Sequence, residues 1–158
     1  MTKKILVTED LVQEGIDLLR EHGCTVDFLI DPTADELAGA IAPYDGLIVH
    51  PNTVVDAALL AAAENLKIIG RAGVTVDNID IDAASERGII VCNAPNSNVI
   101  SAAEHTMALL LSAARRIPEA SASMHAGQWR RADFMGSELY GKTLAIFGLG
   151  RVGGLVAE

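Results

Sequence analysis

Short apolar runs recur through the first 93 residues with helical patterns between them, and this alternation most constrains the fold. Lys4–Thr8, Thr25–Ile30, Gly46–His50, Lys67–Gly70 and Ile89–Cys92 read as strands. Leu11 to His22 carries Leu11, Ile16, Leu18 and Leu19 at helical spacing and stops at Gly23. Thr33 caps a second helix running to about Ile41, with Glu36 three residues on as in a capping box. Asp56 caps an alanine-rich helix, Ala57 to Glu64, and Asp80 or Asp82 opens a helix through Glu86 that Gly88 ends. Strands joined through helices at this spacing form repeated βαβ units. The predicted fold is α/β: a flavodoxin-like parallel sheet with helices on both faces. Ligands of such sheets bind at the carboxyl ends of the strands, which singles out Thr8–Asp10, His50–Thr53, Arg71–Asn78 and Asn93–Asn98.

Composition agrees and narrows the partners. Half the residues are hydrophobic but only 4% are aromatic, so Ala, Val, Ile and Leu must fill the interior, as in a buried parallel sheet. A net charge of −9 argues against nucleic acid or an anionic membrane as partner. It leaves room for a small anionic substrate, which needs only a local cluster of donors. The first apolar run ends at Thr8, Glu9 and Asp10, too early for a signal peptide. No apolar stretch approaches the ~20 residues of a membrane span. Cys24 and Cys92 show neither CxxC nor metal-ligand spacing, so no metal is expected. The reading is a cytoplasmic protein with two reduced, buried thiols.

After Cys92 the character changes. Asn93-Ala-Pro-Asn-Ser-Asn98 is a loop, with Pro95 biasing Ala94 away from helix. Ser101 to Arg116 is the longest helical pattern; Ser101, Glu104, His105, Ser112, Arg115 and Arg116 share one stripe of the wheel and apolar residues cover the rest. Such a helix is expected to be buried on more than one side, against a second domain or subunit. A further helix runs to Gly127, and Trp129 to Lys142 is irregular. Leu144 to Phe147 then reads as a strand feeding Gly148-Leu149-Gly150-Arg151-Val152-Gly153, the spacing Gly-x-Gly-x-x-Gly of a dinucleotide loop. Gly148 makes the tight turn, Gly150 admits a pyrophosphate against the backbone, and Gly153 lets the helix pack close to the strand. The ribose-gripping acid belongs about 20 residues further on, and only Gly154 to Glu158 follow the motif. Two parts result, 1–98 and 99–158.

The order of parts is familiar. Gly70-Arg-Ala-Gly-Val-Thr-Val-Asp-Asn78, Asn93-Ala-Pro-Asn-Ser-Asn98, Ser101-Ala-Ala-Glu-His105 and Phe134-Met-Gly-Ser-Glu-Leu-Tyr-Gly-Lys-Thr143 resemble the D-2-hydroxyacid dehydrogenases. The branch acting on D-3-phosphoglycerate, in serine biosynthesis, is the most similar. The resemblance implies a substrate domain over 1–98, then a dimerisation helix and the start of a Rossmann NAD-binding domain over 99–158. It implies NAD as cofactor, oxidation of a small anionic 2-hydroxy acid, and a homodimer. It assigns His50, Asn52, Gly73, Val74 and Thr75 to substrate, with the Val74 and Thr75 amides converging on a carboxylate as an anion nest. It assigns Val74, Gly148, Gly150, Arg151, Val152 and Gly153 to cofactor. The family's catalytic Arg, Glu and His are expected downstream of Glu158, so no catalytic residue is assigned and this chain alone is expected to be inactive.

Two residues depart from the branch: His50-Pro51-Asn52 stands where Arg-Ser is common, and Thr75 where a second glycine often sits. Histidine is a weaker and pH-dependent phosphate partner, and a β-branched residue resists positive φ. No spacing places a carboxylate beside His50, His105 or His125. The alternative function is a stand-alone anion-binding or regulatory module without catalysis. A flavin carrier is disfavoured because Thr8-Glu9-Asp10 would repel a flavin phosphate.

Overall fold

The computed structural model describes residues 2–158. By its internal contacts the chain divides into two compact units, which part after Ser97.

The first unit is a five-stranded parallel sheet: β1 (Lys3–Val7), β2 (Cys24–Phe28), β3 (Gly46–Val49), β4 (Ile68–Arg71) and β5 (Ile90–Asn93), in the order β2-β1-β3-β4-β5. That is the flavodoxin-like order expected from the alternation. The connecting helices are α1 (Gln13–Glu21), α2 (Ala34–Ala40), α3 (Ala57–Ala62) and α4 (Ile81–Glu86). Three start at side-chain caps. Thr33 and Glu36 form the full capping box, Asp56 accepts from the Leu59 amide, and Asp80 rather than Asp82 accepts from that of Ala83.

Strand alternation divides the core into two layers. Leu6, Leu47, Val49 and Ile69 face the layer of Leu37, Leu59, Leu60 and Ala84, from α2, α3 and α4, with Ile41 at the end of α2. Ile5, Val7 and Val26 pack with Ile16 of α1 on the other side. The second layer is thinner, and Ile68, Ile90 and Cys92 are exposed. The expectation of two buried thiols therefore fails: Cys92 is exposed and Cys24 half-buried, both free. Their strands read as apolar, but β5 is an edge strand and covers less.

At the amino end of the sheet Asp45 ties β1 to β3. It accepts from Lys3 Nζ at 2.7 Å and from the Lys4 amide at 3.1 Å, with Lys67 Nζ at 4.0 Å. The Lys3 hydrogen bond, then that of the Lys4 amide, holds the Asp45 carboxyl below the ordinary aspartate value. A depressed carboxyl contributes stability above its unfolded pKa and loses it as pH falls through the folded one. Asp45→Asn should therefore flatten the most acidic part of the stability–pH curve and leave its neutral shape unchanged, as read by urea unfolding across the acid range.

The second unit contains α5 (Val99–Arg115), α6 (Ile117–His125), a 3-10 turn (Arg131–Phe134) and α7 (Arg151–Ala157). Arg116 joins α5 to α6 in the left-handed region at φ 53°. It is held there by a 2.7 Å hydrogen bond to the Asp133 carbonyl and by the Phe134 ring, 5.6 Å from its guanidinium. One expectation is corrected here. Leu144–Phe147 forms no strand, and Phe147 is fully exposed, because a strand needs a neighbour to take its ladder hydrogen bonds. Within this chain only Ala103 of α5 is buried. Helix α7 packs on α5 but leaves Ile100, Leu109 and Leu111 exposed. No helix among the described residues is long and apolar enough to cross a membrane.

Candidate functional site

Buried polar atoms are almost always hydrogen-bonded, so the exceptions carry information. Among the described residues three buried side-chain atoms have no partner: Glu9 Oε1, Arg71 Nε and Asn78 Oδ1. Glu9 follows β1, Arg71 ends β4, and Asn78 lies between β4 and α4. All three belong to the carboxyl end of the sheet, where the topology places ligands.

The turn after β3 is fixed from two sides. Asn78 Nδ2 donates to the His50 carbonyl at 2.9 Å and to the Thr53 carbonyl at 2.7 Å. Buried Thr8 and Thr53 share a hydroxyl–hydroxyl hydrogen bond of 2.9 Å. His50 is thereby held with its Nδ1 3.2 Å from Glu9 Oε2, and Asn52 is exposed at the tip. Sequence spacing paired no carboxylate with any histidine. The fold does, because β1 and β3 are neighbours and their ends meet.

Beside this turn lies Arg71, which the sequence placed at a strand's carboxyl end but to which it assigned no role. Its side chain is only 8% exposed, and its nearest carboxylate is Asp77, 3.9 Å from Nη2 and itself largely exposed. The Asp77 carboxyl is held below the ordinary aspartate value, first by the Thr75 hydroxyl, then by a backbone amide, and also by Arg71. The guanidinium lies over Gly73: a Cβ there would sit 1.9 Å from Nη1. Glycine is thus required at 73 by the arginine's position. No residue from Arg71 to Asn78 has positive φ, so the Val74 and Thr75 amides do not belong to an αR–αL pair. Thr75 fits without strain, its hydroxyl donating to Asp77.

The loop is pinned from behind. Asn93 Nδ2 donates to the Val74 carbonyl at 2.6 Å and the Ala94 amide to that of Gly73 at 2.9 Å. Neither the Val74 nor the Thr75 amide donates to a backbone carbonyl. A buried guanidinium with a spare N–H beside two uncommitted amides can hold a carboxylate. The one signal in the sequence was a cation ending the apolar run Ile68-Ile69-Gly70 two residues before a glycine.

In the second unit the glycine loop meets the demands of its spacing. Gly148 takes φ 97°, a conformation side chains resist. Gly150 is the N-cap of α7, and a Cβ on it would meet nothing within 4 Å, leaving the backbone open to a ligand. A Cβ on Gly153 would lie 2.0 Å from the Gly148 carbonyl oxygen, so loop and helix touch there. Arg151 and Val152 form the first turn of α7. These residues fit a dinucleotide's pyrophosphate.

A doubly wound sheet with an under-satisfied cation at its carboxyl end defines the class: an α/β protein whose strand ends carry chemistry suited to an anion. Residues 5–147 match the family model of the D-isomer specific 2-hydroxyacid dehydrogenase catalytic domain, and the chain belongs to that family. It is 52% identical over 155 residues to a D-3-phosphoglycerate dehydrogenase of Archaeoglobus fulgidus, covering 98% of this chain and 29% of that one. The curated relatives are thus more than three times the length this chain spans. Among solved structures, a Thermus thermophilus protein superposes with a TM-score of 0.90 at 36% identity, over 98% of this chain and 51% of that one. An NAD+-bound 3-phosphoglycerate dehydrogenase of Entamoeba histolytica superposes at 0.76 with 28% identity, over 99% and 50%.

Proposed function

We propose that this chain is the N-terminal part of an NAD-dependent oxidoreductase acting on a 2-hydroxy acid, D-3-phosphoglycerate in particular. The observation that carries the reading is the gathering of the unpartnered Glu9, Arg71 and Asn78 atoms at the sheet's carboxyl end. The Arg71 guanidinium and the Val74 and Thr75 amides hold the substrate carboxylate, and Gly73 keeps the guanidinium in place. His50 and Asn52 face the rest of the substrate. Gly148, Gly150 and Gly153 shape the cradle for the NAD pyrophosphate, with Arg151 and Val152 at the helix that opens there. NAD, when bound, supplies the acceptor for the hydride leaving the hydroxyl-bearing carbon. The group that moves the hydroxyl proton is assigned to none of the described residues.

The whole protein is proposed to be a cytoplasmic homodimer joined through α5, whose exposed Ile100, Leu109 and Leu111 need a cover. Leu109→Glu should shift the chain from dimer to monomer in sedimentation; a parent that is already monomeric removes this part of the reading. The ligand site is tested by NMR. D-glycerate and D-3-phosphoglycerate should both shift the Val74 and Thr75 amide resonances of the 158-residue chain. Shifts confined to residues remote from the strand ends would refute the assignment.

A further inference from the structure

Arg71 raises a question of charge in the free chain, before any acid is bound. Its side chain is buried, Nε has no partner, and the one carboxylate within ion-pair distance among the described residues, Asp77, stands 3.9 Å from Nη2. A carboxyl or an amine in such a place neutralises itself by shifting its pKa. A guanidinium cannot, because it keeps its proton in a protein. Its charge has to be met by a counter-ion.

Asp77 meets it poorly. Its side chain is 78% exposed and its Oδ1 already accepts from the Thr75 hydroxyl, and exposed ion pairs contribute little. The other polar groups of the loop are donors as well, since neither the Val74 nor the Thr75 amide donates to a backbone carbonyl. Donors with no committed acceptor call for an anion. A water would take hydrogen bonds but leave the charge. There is also room, for Arg71 borders a cavity of about 370 Å³ with Ala72, Asn93 and Ala94 at the strand ends and Leu18 and Leu19 of α1 opposite. Apolar walls lower the local dielectric and strengthen the attraction between an ion and the arginine. A single charge suits the place better than a double one, because only one guanidinium lies there and Asp77 is already negative.

We propose that Arg71 binds a small inorganic monoanion of the chloride kind, and that this ion is the counter-ion a 2-hydroxy acid's carboxylate displaces. The inference rests on the proposed carboxylate site and adds a competitor to it: the acid's apparent affinity is set by the halide around the protein.

The test exchanges chloride for fluoride at constant ionic strength on the 158-residue chain. Fluoride holds its hydration shell more firmly and should be the poorer ligand. A charge-assisted contact of the expected strength corresponds to a Kd on the order of 30 mM for chloride. The apparent Kd of D-glycerate, read from the Val74 and Thr75 amides, should then rise about tenfold as chloride replaces fluoride up to about 300 mM. Without the acid, chloride should also stabilise the fold more than fluoride does. That reverses the general salt order, in which the more strongly hydrated anion stabilises. Arg71→Met should restore the general order in urea unfolding, and the competition measured on the parent keeps the test decisive if this variant does not fold. An acid affinity indifferent to the exchange, or a chloride effect that survives in folded Arg71→Met, overturns the inference and leaves the acid site standing. Amides that respond to chloride but not to D-glycerate uphold the ion site and overturn the proposed function. A response to neither overturns both.

Discussion

Arg71→Met should abolish the response of the Val74 and Thr75 amides to D-glycerate, yet leave the free chain as stable as the parent or more so. The two halves of this result have one cause. In the free chain Arg71 is buried with Nε unpaired, and its only carboxylate is 3.9 Å away and exposed. A buried charge so poorly compensated is often better replaced by an apolar side chain of similar length, and its removal strands no other buried charge. Methionine keeps the stem's packing against the loop. In the complex, the guanidinium gives charge-assisted hydrogen bonds worth about 1.5–3 kcal/mol, so affinity should fall by roughly 10- to 150-fold. Thermal unfolding and the NMR titration, run on one sample, read both. A variant that unfolds would show Arg71 to be structural, and one that binds like the parent would remove it from the site.

What the sequence made legible was whatever is local. The caps at Thr33 and Asp56 involve residues three apart, and the apolar runs report burial by themselves. The ligand end followed from topology alone. Arg71 was hidden because its meaning lies in burial, which composition at one position does not show. The Glu9–His50 contact joins the ends of two different strands and no spacing contains it. Gly73 was assigned to the substrate loop, but what requires glycine there is a neighbouring side chain that occupies the place of a Cβ, and no sequence pattern shows that. Leu144–Phe147 has the local pattern of a strand, and pattern cannot provide the second strand that makes one.

The glycine loop offers a second large effect, from two substitutions of equal size and opposite consequence. Gly153→Ala should detach α7, because its Cβ would lie 2.0 Å from the Gly148 carbonyl oxygen and 3.1 Å from that carbonyl carbon, both backbone atoms that no rotamer change relieves. Overpacking of this kind costs up to about 3 kcal/mol. A helix of seven residues has no stability of its own to offset that. The Gly154 amide, bonded to the Gly150 carbonyl at 2.8 Å, should then lose its protection in hydrogen exchange. Gly150→Ala should leave that protection intact, since a Cβ at 150 meets nothing within 4 Å and its φ of −75° suits alanine. The methyl would instead stand where the backbone is open to a ligand, so any NAD-induced shifts in Gly148–Gly153 should vanish in this variant while α7 persists. If Gly150→Ala keeps those shifts, the open face of the loop is not where a pyrophosphate lies. If Gly153→Ala keeps the Gly154 protection, the contact between loop and helix is looser than its geometry requires.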